Sequence, residues 1–274
     1  MTNAPSATHH LSDKEFQLFQ KLFEEEIGLH LVAHKKLLLS GRLGRRLGKL
    51  GLPSFRAYYD HLVAGNDPAE LQTAIDLITT HETFFFREAH HFDVLMHSIV
   101  PAHAPGRPLR VWSAACSTGE EPYSVAMVLS DVLGPTGWEL LASDISDAAL
   151  AKAAAGLYSM ARTEGISQKY LKAYCLRGRG EFEGKLLIER SLREKIEFRQ
   201  LNLTNLPSNL GKFDVVLLRN VIIYFDTSTK LRVLEAICDR LQPGGWLLLG
   251  HSESMAGFDL PIEQIKPAVY RRRR

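Results

Sequence analysis

The sequence predicts an α/β protein in which a small helical domain precedes a Rossmann-like, mostly parallel sheet with helices on its faces. Three observations carry this. Apolar residues recur at helical period through the first hundred positions. Short apolar runs then alternate with helical segments from Leu109 onward, and acidic residues follow the first two of those runs, where such a fold builds its ligand pocket. The expected boundaries are residues 1–90 for the helical domain and 91–274 for the sheet domain, with a β-subdomain inserted at about 167–200.

The helical part opens with Ser12 and Glu15 at capping-box spacing, ahead of Phe16, Phe19, Leu22, Phe23 and Ile27 on one face. Further amphipathic helices are expected over 35–50, 54–63 and 68–78. In the first of these, Leu37, Leu38, Leu43 and Leu47 are expected to face the core. The same stretch carries Lys35, Lys36, Arg42, Arg45, Arg46 and Lys49 with no acidic residue, and the chain ends in four arginines. The whole chain is only +2, so these blocks make its charge uneven. They are either solvated faces or contacts for an anionic partner.

In the sheet part, LRVWSAAC, WELLASD, FDVVLLRNVIIYF and PGGWLLLGHSE read as strands, with helices over 120–133, 146–155 and 227–241 between them. QIKPAVYR is expected to be an edge strand. YCLRGRGEFEGKLLIE has the glycine spacing of a hairpin, and the short charged helix and the strand EFRQLN after it are assigned with it to the insertion.

Composition excludes several classes. No apolar run approaches the roughly 20 residues of a membrane span, and the N-terminus shows no apolar signal core, so the expected location is cytoplasmic. Cys116, Cys175 and Cys238 are odd in number and far apart, which fits free thiols. The stretch THETFFFREAHHF is rich in histidine, yet His90 and His91 are adjacent and would point about 100° apart on a helix. No metal is expected there. Its phenylalanines are expected to form a packed seam between the two domains.

The loop SAACSTGEEPYS, after the first sheet strand, is the informative one. Ligands of such folds sit at the carboxyl ends of the strands. This loop lacks both G-x-G-x-x-G and Gly-Lys-Ser/Thr, and Glu120 with Glu121 would repel a pyrophosphate. Two carboxylates there suit a cationic nucleoside such as S-adenosylmethionine, or they simply stabilise the helix start. Asp144 ends the second strand, where it can reach ribose hydroxyls or cap the next helix.

TGEEPYS, ASDIS, RNVIIYFD, LxPGGWLLLGHSE and FFFREAHHF resemble, in order and spacing, the CheR-type chemotaxis receptor methyltransferases, over nearly the whole chain. The resemblance implies a class I S-adenosylmethionine-dependent methyltransferase fold and protein-glutamate O-methyltransferase activity, with S-adenosyl-L-homocysteine as product. By motif, it assigns cofactor contacts to His81, where relatives often have asparagine, and to Thr83, Arg87, Glu120, Glu121, Asp144, Asn202, Leu203, Arg219 and Asn220. It also places Arg87 and Tyr224 at the methyl-transfer site. Arginine offers a planar fork to a carboxylate, and a tyrosine hydroxyl can orient the acceptor oxygen.

For partners the resemblance implies the cytoplasmic helical bundle of chemotaxis receptors, docked by Arg42, Arg45, Arg46 and Lys49. A receptor C-terminal pentapeptide would add to the hairpin at Arg177, Gly178 and Gly180. The expected protein is a monomer with no nucleic-acid partner and no direct membrane insertion. Two rival readings are a nucleic-acid methyltransferase and a non-enzymatic sensor of the cofactor or its product. The first lacks the Asp/Asn-Pro-Pro-Tyr/Phe turn after strand four, and the second is disfavoured by the presence of Arg87 and Tyr224.

Overall fold

The computed structural model describes residues 9–104 and 106–274. The signal-free start expected for the chain falls largely on residues 1–8, and Pro105 opens the expected turn into the sheet part; both lie outside the described residues. By contact the chain divides into a helical unit, Met1–Thr80 with Tyr224–Asp226, and a sheet unit, His81–Ile223 with Thr227–Arg274.

In the helical unit, α1 (Asp13–Ile27) starts on the expected capping box. The Glu15 N–H donates to Ser12 Oγ, and the Ser12 N–H donates back to the Glu15 carboxylate. The helix stops at Gly28, whose φ of 73° favours glycine. The five expected apolar residues are its buried face. They pack with the helix α3 (Phe55–Val63), where the Phe55 ring stands edge-on to Phe19 at 6.3 Å. Between them runs α2 (Lys36–Leu50), and α4 (Pro68–Ile78) follows with Asp67 as its N-cap.

One expectation for α2 needs correcting. Leu39, Leu43 and Leu47 are buried, while Leu37 is 86% exposed. Positions spaced by four lie on one face, and Leu37 is about 200° around the helix from Leu39, so the two cannot share a core. The helix therefore presents a leucine among its cations.

The sheet unit is built on β1 (Leu109–Ser113), β2 (Trp138–Asp144), β6 (Ile196–Gln200), β7 (Phe213–Leu218), β8 (Leu241–Leu249), β9 (Ile262–Lys266) and β10 (Val269–Arg272). Their order is β6-β2-β1-β7-β8-β10-β9. The first five run parallel, and β10 returns antiparallel to β8. This is the class I methyltransferase sheet expected from the sequence. Order reverses between β1 and β7, so the crevice of the fold lies beyond their carboxyl ends. A separate three-stranded antiparallel sheet holds β3 (Leu157–Ser159), β4 (Cys175–Arg177) and β5 (Lys185–Ile188), with β5 central.

Three elements differ from expectation. The strand in EFRQLN is not part of the small sheet: as β6 it pairs in parallel with β2 and forms an edge of the large one. Its proximity in sequence to the hairpin hid a pairing made across the whole insertion. The run RNVIIY does not continue the β7 strand, which stops at Leu218; Ile222–Tyr224 is a 3₁₀ turn. QIKPAVYR yields a hairpin rather than one strand, with β9 as the outer edge. The phenylalanine seam also finds its ring partners within the sheet unit. Phe85 meets Tyr158 edge-on at 4.9 Å, and Phe86 stacks on Tyr170 at 5.7 Å.

Candidate functional site

The site begins where β1 and β2 end. The loop from Ala114 to Gly119 turns sharply into the helix Glu120–Leu133, with Ser117 at φ 50° and Gly119 at φ 97°. At Gly119 a Cβ would lie 2.7 Å from the Tyr158 hydroxyl and 2.8 Å from the Ala153 side chain, so only glycine lets the loop pass. Asp144, at the end of β2, ties the loop down: its carboxylate accepts the Ser117 N–H at 2.8 Å and the Ser146 N–H at 3.0 Å. It is thus both a loop anchor and a helix-start acceptor. Burial pushes its carboxyl above the usual aspartate range.

His81 comes to the same loop, with Nδ1 3.3 Å from Ser117 Oγ. Beside Asp144, the Leu201 N–H donates to the Asp144 carbonyl, which brings Asn202 and the buried Leu203 to this rim. Asn202 Oδ1 accepts the Thr204 N–H and hydroxyl at 3.0 and 2.7 Å.

Glu120 and Glu121 have different surroundings. Both are buried, and burial raises both carboxyls above the ordinary range. Glu121 has each oxygen engaged, Oε1 by the Ser113 hydroxyl at 2.7 Å and Oε2 by Arg219 at 2.7 Å. Glu120 Oε2 accepts from Thr118 at 2.6 Å. Its Oε1 has no hydrogen bond, although an Arg162 guanidinium nitrogen lies at 3.2 Å.

Arg219 links the β7 end to the THETFFFREAHHF stretch. Its Nη2 donates to the Arg87 carbonyl and lies 3.3 Å from Glu88. Burial pushes the Glu88 carboxyl up, but the Arg219 charge, the His251 N–H and Asn220 outweigh it, and its pKa falls below the ordinary range. Arg87 itself donates to the Glu82 carbonyl at 2.8 Å and lies over the half-exposed Phe84 ring. The Thr83 carbonyl accepts from Arg162 at 2.7 Å.

Sequence reasoning missed Glu253. Its buried carboxylate accepts four backbone N–H groups: Asn220 and Gly250 on Oε2, both at 2.7 Å, and Val221 and Ile222 on Oε1, at 2.8 and 2.9 Å. Asn220 is held at φ 57°. This clamp ends β7 and turns RNVIIY away from the sheet. The only trace of it in the sequence is the acid in GHSE, which no local rule connects to a turn thirty residues earlier.

The three rings of His90, His91 and His251 pack together, with His90 4.0 Å from His91 and 4.4 Å from His251 between centroids. His91 Nδ1 is 3.4 Å from Glu88. Burial and the Arg219 charge lower the His91 pKa to about 2, so this contact is not an ion pair at neutral pH. Among the described residues no group of three metal-type ligands is arranged for a metal.

The remaining assigned residues have partners of their own. Tyr224 groups with the helical unit, where its carbonyl accepts the His30 N–H at 2.8 Å. On α2, Arg42 donates to the carbonyls of Leu77, Ile78 and Thr79, closing the end of α4. Arg46 forks onto the buried Glu70. Arg45 and Lys49 are exposed. Arg177 ends the outer strand β4, Gly178 passes where a Cβ would sit 2.0 Å from the Phe182 carbonyl oxygen, and Gly180 has φ 61°.

The donor set fits a cationic nucleoside. Glu88, Glu120, Glu121 and Asp144 outnumber the arginines paired with members of this set, Arg162 and Arg219, and Glu120 Oε1 has the Arg162 ion pair but no hydrogen bond. A polyphosphate would meet net repulsion; an ammonium or sulfonium would not.

Comparison with known proteins agrees. Residues 81–270 match the family described as CheR methyltransferase, SAM binding domain, and residues 14–79 match CheR methyltransferase, all-alpha domain. The chemotaxis protein methyltransferase of Salmonella typhimurium is 41% identical over 90% of this chain and 86% of its own. That of Escherichia coli is 40% identical over 91% and 87%. Chemotaxis protein methyltransferase 2 of Pseudomonas aeruginosa is 38% identical over 95% and 94%. With both parts matched and the acidic crevice in place, the chain belongs to the CheR methyltransferase family and takes S-adenosylmethionine as its cofactor.

Proposed function

We propose that the protein methylates glutamate side chains on the cytoplasmic helices of chemotaxis receptors, giving glutamyl methyl esters for sensory adaptation. The acidic crevice at the carboxyl ends of β1 and β2 is the observation that carries this reading, because it selects a cationic methyl donor. The bound cofactor supplies an electrophilic methyl on sulfur. A glutamate with a pKa of about 4.3 is almost wholly ionised at neutral pH, so it needs no general base to attack. The new O–CH₃ bond forms as the C–S bond breaks, and the electron pair goes to sulfur.

The protein's task is then positioning and exclusion of water. Asp144, with His81, Thr83, Asn202, Leu203 and Asn220, holds the nucleoside end. Glu120 and Glu121 supply the negative field, and Arg219 fixes Glu121 from behind. Arg87 and Tyr224 orient the acceptor carboxylate. Arg45 and Lys49 dock the receptor helix, and Leu37 adds apolar contact beside them. Arg42 and Arg46 contribute charge from positions set by the helical unit. A receptor C-terminal peptide adds as a strand to the free edge of β4, where Leu176 and Arg177 are exposed, and tethering raises the local acceptor concentration. The protein works as a cytoplasmic monomer. Among the described residues no helix is long and apolar enough to cross a membrane.

The test is transfer of labelled methyl from S-adenosylmethionine to receptor-rich membranes, followed by alkali. Glutamyl esters release volatile methanol; alkali-stable label, or label in nucleic acid, would overturn the proposal.

A further inference from the structure

The four terminal arginines, which the methyltransferase reading leaves without a role, lead to a cavity at the other end of the strands. It has a volume of about 520 Å³ and is lined by Arg107, Arg110, Asp214, Trp246, Arg271 and Arg274, among others. Apart from Trp246, which lies within β8, these residues stand at or beside the start of β1 and β7 and the end of β10. The cofactor crevice lies beyond the opposite ends of β1 and β7, roughly 16 Å away for a five-residue strand at about 3.3 Å per residue.

The charges here do not cancel. Asp214 is the one side-chain carboxylate among the described lining residues, and Arg107 holds it bidentately at 2.7 and 2.5 Å. Arg110 is balanced by Glu139 at 3.1 Å and donates to the Lys212 carbonyl at 2.7 Å. Arg271 spends only Nε, on the Gly244 carbonyl, and its guanidinium lies over the Trp246 ring at 5.2 Å. Its two Nη groups and the whole Arg274 guanidinium have no ion-pair partner among the described residues. The cavity therefore carries two fork-shaped guanidinium groups without an ion-pair partner among the described residues, against one terminal carboxylate on Arg274. Gly244 and Gly245 keep its floor free of side chains.

We propose that this cavity binds a phosphate-bearing small molecule of nucleotide size. Two guanidinium forks match a phosphoryl dianion in charge and geometry. The volume lies within the range of small-molecule sites and exceeds what a lone phosphate fills. A cavity lined by these arginines differs from the flat basic stripe that a nucleic acid or membrane surface would meet.

The full chain, with its cofactor crevice saturated by S-adenosylhomocysteine, is titrated calorimetrically with inorganic pyrophosphate and with adenosine diphosphate. Both are expected to bind one saturable site, the nucleotide more tightly. Arg274→Gln, at an exposed position, is expected to weaken binding about tenfold, and the Arg271→Gln/Arg274→Gln pair about a hundredfold, since each lost fork removes about one charge-assisted contact. S-adenosylhomocysteine affinity and thermal midpoint report that the variants are folded, and Lys49→Gln should bind the probes like the wild type. No saturable heat with either probe at millimolar concentration, equal affinity in folded variants, or binding to phosphatidylglycerol vesicles alone would overturn the proposal.

Discussion

Arg219 donates to Glu121 Oε2 at 2.7 Å with both side chains buried, and the same guanidinium lies 3.3 Å from Glu88. One cation thus stabilises two largely buried carboxylates. Arg219→Met should destabilise the sheet unit by about 3–5 kcal/mol, because both charges are left uncompensated. Denaturant unfolding of the two proteins measures this, and a loss under about 1 kcal/mol would show that the pair is better solvated than its burial implies.

Glu253→Gln keeps the shape of the clamp but replaces one acceptor with a donor facing N–H groups. Losing charge-assisted bonds should cost about 1.5–3 kcal/mol locally. Amide exchange at Asn220, Val221, Ile222 and Gly250 should quicken, and methyl transfer should fall because the turn leading to Tyr224 is released. Unchanged protection at those four amides would refute the clamp.

Asp144→Ala should weaken S-adenosylmethionine binding by roughly ten- to a hundredfold, since it removes a charged acceptor and frees the Ser117 loop. Calorimetry decides it, and unaltered affinity would remove Asp144 from the cofactor site.

On α2 the cations should separate into two groups. Arg45→Glu and Lys49→Glu should lower receptor methylation several-fold at low salt, with stability and cofactor affinity intact. Arg46→Ala should instead cost about 2–3 kcal/mol, less than a fully buried pair, because Arg46 is partly exposed. Initial rates beside unfolding curves separate these outcomes; equal effects from all three would mean that the cations act as one diffuse patch.

Glu70 predicts a pH dependence. Burial pushes its carboxyl up, but Arg46 and the Tyr58 hydroxyl outweigh this, and the folded pKa falls below the ordinary glutamate value. A lowered folded pKa means stabilisation that is complete above the unfolded value and is lost as pH falls through the folded one. The stability gap between wild type and Glu70→Gln should therefore be widest near neutral pH and shrink below about pH 4.3. A gap that widens on acidification would reverse the sign.

Much of the fold was legible because its signals are local. The Ser12–Glu15 box, the five-residue face of α1, the helix Glu120–Leu133 and the apolar strands β1, β2 and β7 each follow from spacing within a dozen residues. Likewise, the acidic pair after β1 and the aspartate after β2 were readable as a candidate site from their place in the alternation. RNVIIY misled because a β-branched run looks like strand, and only Glu253 shows why it turns.

By itself the sequence determined the two-part organisation, the parallel sheet and the negative polarity of the crevice, since periodicity and charge are properties of neighbouring residues. The tertiary structure decided which residues meet across long separations. It moved 196–200 into the large sheet, committed Glu121 to Arg219 and Arg46 to Glu70, placed Leu37 outside, and gathered Arg107, Arg110, Arg271 and Arg274 around one cavity. Burial, hydrogen-bond partners and charge balance exist only once the chain has closed on itself, so these assignments required the fold.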